Sequence, residues 1–225
     1  MKIPLSILGV VAVLMFAFYL FAPKPGPEAL RERTDLPWQI DVNPNGGSRV
    51  FDLNLGEATL ADAIAKFGGI EGLAVFQSES GELALEAFFG KVQFGPLDAK
   101  VLVGLEASTD ELTALRDSAA QREGSPSGDW KFPLSSGPEP HLTRRLTLIT
   151  YIPGTRNLDH AFILDRFGQP GATLRESEHA VSWFYPNHGL SILIDDKTKE
   201  VLEYQAPRNF RLPENVTPYV PVIRN

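Results

Sequence analysis

No cysteine occurs anywhere in the 225 residues. Disulfides, thiol nucleophiles, cysteine-based zinc sites and the lipidated cysteine of a bacterial lipoprotein are thereby excluded. Avoiding cysteine also suits an oxidising compartment. Positive charge is short as well: 21 Lys and Arg stand against 28 Asp and Glu, a net charge of −7. With no basic stripe to follow a phosphate backbone, nucleic acid is not an expected partner. Histidine is scarce. His141, His160, His179 and His188 are the full set of four, and no two share the i,i+4 or His-x-His spacing that presents paired ligands to a metal. The one geometry that could bring imidazoles together is His179 opposite His188 across a hairpin near 180–190. No Gly-x-Ser-x-Gly elbow, phosphate loop or dinucleotide fingerprint is present, and Gly124-Ser-Pro-Ser-Gly128 reads as linker. The acid pairs Asp195-Asp196 and Glu79/Glu82 read as solvated turn residues. Neither an enzyme nor a bound metal or small-molecule cofactor is expected.

What the chain does have begins with a run of 20 uncharged residues, Ile3 to Ala22. As a helix it would rise roughly 30 Å, the thickness of a hydrocarbon core. Tyr19 and Phe21 fall where an interfacial aromatic belt would lie, and Pro4 is tolerated in the first turn. A cleaved signal peptide would have a shorter apolar core and a small-x-small site, which Leu20-Phe21-Ala22 followed by Pro23 does not supply. The expectation is a single-pass signal anchor in the cytoplasmic (inner) membrane, with the C-terminal domain translocated to the periplasm.

After the anchor, 1–22, the Pro-rich segment 23–36 reads as a stiff stalk. A first α+β unit is expected over 37–122. Trp38, Ile40 and Val42, then Phe51, Leu53 and Leu55, alternate around the turn Asn43–Gly47, as in a hairpin with one buried face. Thr59-Leu-Ala-Asp62 opens a helix with Leu60, Ala63, Ile64 and Phe67 on one face, closed by Gly68-Gly69. Strands follow at 72–77, 82–94 and 98–106, and Ser108-Thr-Asp-Glu111 opens a further helix. The Gly-, Ser- and Pro-rich stretch 123–140 reads as a linker. A second α+β unit, 141–205, has a β-branched strand at 146–152, a helix capped by Asn157, and strands at 172–176, 180–185, 190–195 and 200–205. A 100-residue offset superposes Phe67-Gly68 on Phe167-Gly168, so the halves form a possible pseudo-repeat, with chance as the alternative. The fold class expected is α+β: one transmembrane helix followed by two small helix-plus-antiparallel-sheet units. The tail, 206–225, has four prolines and reads as extended.

From Leu158 to Tyr204 the chain resembles the SmpA/OmlA, or BamE-like, module of Gram-negative envelope proteins. The residues that carry this are Arg166-Phe-Gly-Gln-Pro170, Trp183-Phe-Tyr185, Leu190-Ser-Ile-Leu-Ile194, the Asp195-Asp196 turn and Val201-Leu-Glu-Tyr204. The chain lacks that family's lipobox cysteine and its obvious pair of leading helices. The resemblance implies a module that binds other envelope proteins and performs no chemistry.

Together these readings lead to an expected membrane-anchored periplasmic interaction module, an accessory or assembly subunit with envelope or inner-membrane proteins as partners. The alternative is a binding module for a lipid or glycan, which would need a concave apolar pocket between the two units. Trp183 and Tyr185 alternate onto one strand face and read as core, leaving Phe184 to find other cover. The tail is too apolar to be freely solvated. It is expected to strap over its own domain through Phe210 and Leu212, with Tyr219, Val220, Val222 and Ile223 free for a partner. The partner-binding set is therefore Phe184, Tyr219, Val220, Val222 and Ile223.

Overall fold

The computed structural model describes residues 34–125, 128–154 and 158–220; the expected anchor 3–22, the cap Asn157, and the tail residues Val222 and Ile223 lie outside them. The described chain opens with three short strands, β1 (Asp41–Val42), β2 (Ser48–Val50) and β3 (Leu53–Leu55), paired in that order as a small antiparallel sheet. The reversal between β2 and β3 is made by Phe51 and Asp52, both left-handed with φ of 53° and 63°. Positive φ at both central residues suits the twist of a tight hairpin, but for a residue with a Cβ it costs about 1–2 kcal/mol. Burial offsets that cost. Phe51 is fully buried, stacks on Tyr151 at 5.6 Å, and meets Phe94 at 5.0 Å and Tyr204 at 5.3 Å.

Helix α1 (Leu60–Phe67) starts at a reciprocal Thr59–Asp62 capping box and buries Leu60, Ala63 and Phe67. Two amides of its first turn are satisfied from far along the chain: Leu60 donates to the Arg144 carbonyl at 2.9 Å and Ala61 to that of Leu142 at 3.0 Å. A meander follows, β4 (Gly72–Gln77), β5 (Leu83–Phe94) and β6 (Leu97–Leu105). A bulge shifts the β5–β6 register between Phe88 and Lys91. It moves the buried side of β5 from Leu85, Ala87 and Phe89 to Val92 and Phe94. The turning point is Gly90, at φ 65°, where a Cβ would collide with the Glu71 carboxylate. This is the position a bulge reserves for glycine.

Helix α2 (Thr109–Ser118) begins at a Ser108–Glu111 capping box. The segment expected as linker carries β7 (Glu123–Gly124) and β8 (Trp130–Pro133), and β8 pairs with β4. Then come β9 (Leu146–Pro153), α3 (His160–Phe167), β10 (Ala172–Arg175), β11 (Ala180–Tyr185), β12 (Leu190–Asp195), β13 (Val201–Tyr204) and β14 (Thr217–Pro218). Asp159 caps α3 by accepting from the Phe162 amide at 2.7 Å.

The expected pair of α+β units is corrected. Strands β4 to β14 form a single 11-stranded antiparallel sheet, in the order β14-β10-β11-β12-β13-β9-β6-β5-β4-β8-β7. The reason is β9. Its β-branched run has two hydrogen-bonding edges; one pairs with β6 and the other with β13. Helices α1 and α3 do start 100 residues apart and end in glycines of similar conformation (φ 97°, ψ −169° and φ 77°, ψ −166°). Their strands nevertheless merge into that one sheet, and the described residues form one compact unit. Leu60, Phe67, Ile163 and Phe167 share one apolar cluster with both ends of the sheet. The expected single-pass anchor, and the inner-membrane location with a periplasmic domain built on it, are not upheld. Among the described residues no helix is long and apolar enough to cross a membrane, and the span 3–22 lies outside those residues.

Phe51 joins the small sheet to β9 and β13 through its ring. Replacing it with Ala, which keeps the Cβ and therefore the backbone strain, should destabilise the fold by about 3–5 kcal/mol, as for other buried aromatic truncations. Equilibrium denaturation by urea measures this; a loss below about 1 kcal/mol would contradict the assigned role.

Candidate functional site

An open depression with converging apolar and polar groups lies at one end of the sheet, between α3 and the C-terminal tail. Its volume is about 820 Å³, and its walls come from α3, β10, the β10–β11 turn, β11, the β12 end and β14. Alternation along β11 explains the floor: Val181 and Trp183 face α3, whereas Ser182 and Phe184 face away. Trp183 is 5% exposed. His160 from the first turn of α3 stacks on it, with ring centroids 5.0 Å apart and planes at 17°. Tyr219 meets it edge-on at 5.6 Å. Leu164 and Ile194 complete the apolar lining, and Arg175, Glu178, His179 and Asp196 form a rim of mixed charge.

The tail reaches this place as a strand. Thr217 and Pro218 of β14 lie opposite Thr173 and Ala172 of β10. The Thr217 hydroxyl adds a bond to the Thr173 carbonyl at 3.3 Å. A two-residue ladder ending at a proline, which has no N–H to donate, is a weak and blunted sheet edge. On the opposite face the tail seals the sheet: Phe210 and Val216 pack with Phe184, Ala172 and Leu174 as a separate small cluster.

Trp183 and Tyr185 are core, and the Tyr185 hydroxyl donates to the Gly168 carbonyl at 3.1 Å. Phe184 is 6% exposed beneath Phe210, so its surface is taken by the chain's own tail. Tyr219 and Val220 line the groove, Val220 with 77% of its surface in water. Val222 and Ile223 lie outside the described residues. Leu212, expected to be buried with Phe210, is 43% exposed. Composition pointed to the tail but not to the floor it would meet. The missed residues are His160 and Leu164, which the α3 periodicity places on one turn but cannot aim at a strand.

His179 and His188 do not oppose one another, because β11 runs between them; His188 stacks on Tyr185 and His179 precedes Ala180. Among the described residues no three His, Asp or Glu side chains cluster as metal ligands. Asp195 caps its own turn by accepting from the Lys197 amide at 2.8 Å, which lowers its pKa. The crevice lined by Trp38, Leu97, Tyr151, Phe162 and Phe167 is about 40 Å³. That is room for a water molecule or two, not for an acyl chain or a sugar.

A polar cluster ties the end of β6 and the start of α2 to the segment that leads into β9. Arg144 donates to Glu111 at 2.9 Å, to the Glu106 carbonyl at 2.9 Å and to Nδ1 of His141 at 3.0 Å. The Ser108 amide and hydroxyl with Arg144 bring Glu111 down to about 2. His141 is 3% exposed. Burial, then the charge of Arg144, lowers its pKa despite the opposing pull of Glu111. Its Nε2 is buried without a partner, and because Nδ1 accepts a bond, the proton of the neutral ring sits on Nε2.

The sign of the pH dependence follows. A histidine whose folded pKa is depressed contributes stability fully above its unfolded pKa of about 6.5, and loses it as pH falls through that value toward the folded pKa. Denaturation midpoints should therefore drop between about pH 7 and 5, and His141→Gln should flatten the drop. An unchanged slope in that variant would contradict the assignment. A scan against protein-family models, a search of curated proteins and a search of solved structures each find no match for this chain, so the site is read from its own geometry.

Proposed function

We propose that this protein is an interaction module, without catalytic activity, that receives an extended segment of a partner protein in the groove between α3 and its own tail. The observation that carries the reading is the groove itself. Apolar side chains from three elements line an open volume of about 820 Å³, at a sheet edge covered by a two-residue strand. Val220 at its rim is a large apolar group left in water. An extended segment fits such a place by laying side chains against the half-buried Leu164, Val181 and Tyr219 while its backbone runs along the blunted edge. The mixed rim of Arg175, Glu178 and Asp196 favours a partner of mixed charge over a strongly anionic or cationic one. The resemblance of Leu158–Tyr204 to a BamE-like module, whose members bind other proteins, supports the same reading.

A photo-crosslinking amino acid in place of Ala161 or Val220, introduced into the full chain in its own cells, tests the reading by mass spectrometry of the adducts. One protein should be recovered from both positions and lost when Leu164→Arg fills the groove. Adducts that appear equally at the exposed control position Asp110, or that survive Leu164→Arg, would contradict it.

A further inference from the structure

The large sheet has a second face, and it differs from the one that packs α1 and α3. Val101, Val103, Ile149, Tyr151, Leu202 and Tyr204 belong to the main core, so the residues between them point the other way. On that side Phe88, Leu102, Thr150 and Glu203 form one cross-strand row, and Glu86, Gly104 and Leu148 the next. Phe88, Leu102, Leu148, Ile152 and Val201 are half-buried, yet none belongs to either apolar cluster of the described residues.

Two carboxylates stand within this apolar surface. Glu203 accepts one bond from the Ser191 hydroxyl at 3.2 Å. Glu86 makes no side-chain hydrogen bond or ion pair among the described residues. Burial raises the pKa of both, and for Glu86 the charges of Glu203 and Asp129 add to the effect. The neighbouring cations are engaged elsewhere: Lys91 with Asp98 at 3.0 Å, Lys131 with Glu123 at 3.4 Å, and Arg116 with Asp117 at 2.8 Å. Lys100 stands in the Ile152 row, exposed, at the far end of the face.

A partly desolvated anion without a counter-charge is costly, and the cost falls when a cation arrives with apolar groups around it. We infer that this face docks a cationic amphipathic helix of a partner protein, which sets apolar side chains on Phe88, Leu102 and Leu148 and brings a Lys or Arg to each of Glu86 and Glu203. The spacing suits a helix. Strands β5 and β13 are three strand intervals apart, about 14 Å. Residues seven or eleven apart on a helix share one face and span roughly 10–16 Å. A second copy of this chain is the poorer occupant, because its net charge of −7 opposes like charge at the centre of the contact.

The test uses the full chain and a labelled synthetic Leu/Ala/Lys helix of about five turns, with two lysines about seven residues apart on its apolar face. Saturable binding by fluorescence anisotropy is expected. Glu86→Gln and Glu203→Gln should each weaken it about tenfold; both keep side-chain shape and remove a buried charge, so the fold persists. Leu102→Ser should weaken it as well, while Glu139→Gln, at an exposed site elsewhere, should leave it unchanged. Equal affinity in the two Gln variants, equal affinity for a peptide with Glu in place of its lysines, or sedimentation showing that the chain pairs with itself in a manner abolished by Leu102→Ser would each overturn the inference.

Discussion

The structure depends on the double pairing of β9. A strand that satisfied its amides on one side only would have left two sheets, each with an open edge in the middle of the molecule. Instead, Leu148, Ile149, Thr150 and Tyr151 lie opposite β6, and Ile149 to Tyr151 also lie opposite β13. Interior strand edges, which would otherwise template further pairing, are thereby removed. The pairing also sets Tyr151 between the halves. Its ring meets both Phe51 and Phe94, and burial pushes its hydroxyl up to about 12. The small N-terminal sheet is then clasped from the C-terminal side. Arg208 donates to the Asn45 and Gly56 carbonyls at 3.2 and 3.3 Å, and the Tyr204 hydroxyl to that of Pro37 at 2.9 Å.

Once the middle of the sheet is sealed, only its ends and its second face remain for recognition. At one end the tail supplies the outermost strand, a short one that ends at Pro218. The same tail closes Phe184 on one side of the sheet and stands Tyr219 against Trp183 on the other. The groove is a consequence of that arrangement: α3 covers the middle of β11 but not its flank, and the tail is too thin to fill the gap. At the opposite end Trp130, 43% exposed, is covered by the Arg122 guanidinium 4.0 Å from its ring centre. A cation–π contact protects that aromatic without forming a cavity.

Most individual elements were legible in the sequence, because local chemistry determines them. The capping patterns at Thr59 and Ser108 mark where α1 and α2 begin, and alternation delimits β4, β11 and β12 to within a residue. What joins them was not legible. Strand pairing is non-local, and nothing in Leu146–Ile152 states that both of its edges are used. The Gly90 bulge inverts the buried side of β5, so Phe88 and Phe89 could not be assigned to faces by counting in twos. The Gly-, Ser- and Pro-rich stretch concealed β8, whose four residues gain their structure from pairing with β4 rather than from propensity. Of the candidate site, the apolar tail was visible in composition and half of Trp183's role in its alternation. Its aromatic neighbours were not, since His160 and Tyr219 come from distant parts of the chain and each reaches the Trp183 ring only in the folded sheet. Glu86 and Glu203 escaped notice because a lone carboxylate in an alternating strand reads as solvent-facing.

The claim that most else rests on is that β9 makes the described chain one cooperative sheet. Denaturant-dependent amide hydrogen exchange on the intact protein tests it most directly, by comparing the slowest amides of β5 with those of β12. A single sheet predicts that both sets converge on the same global-unfolding free energy and the same denaturant dependence. Two separate limits, with one half exchanging through an opening that leaves the other protected, would contradict the account.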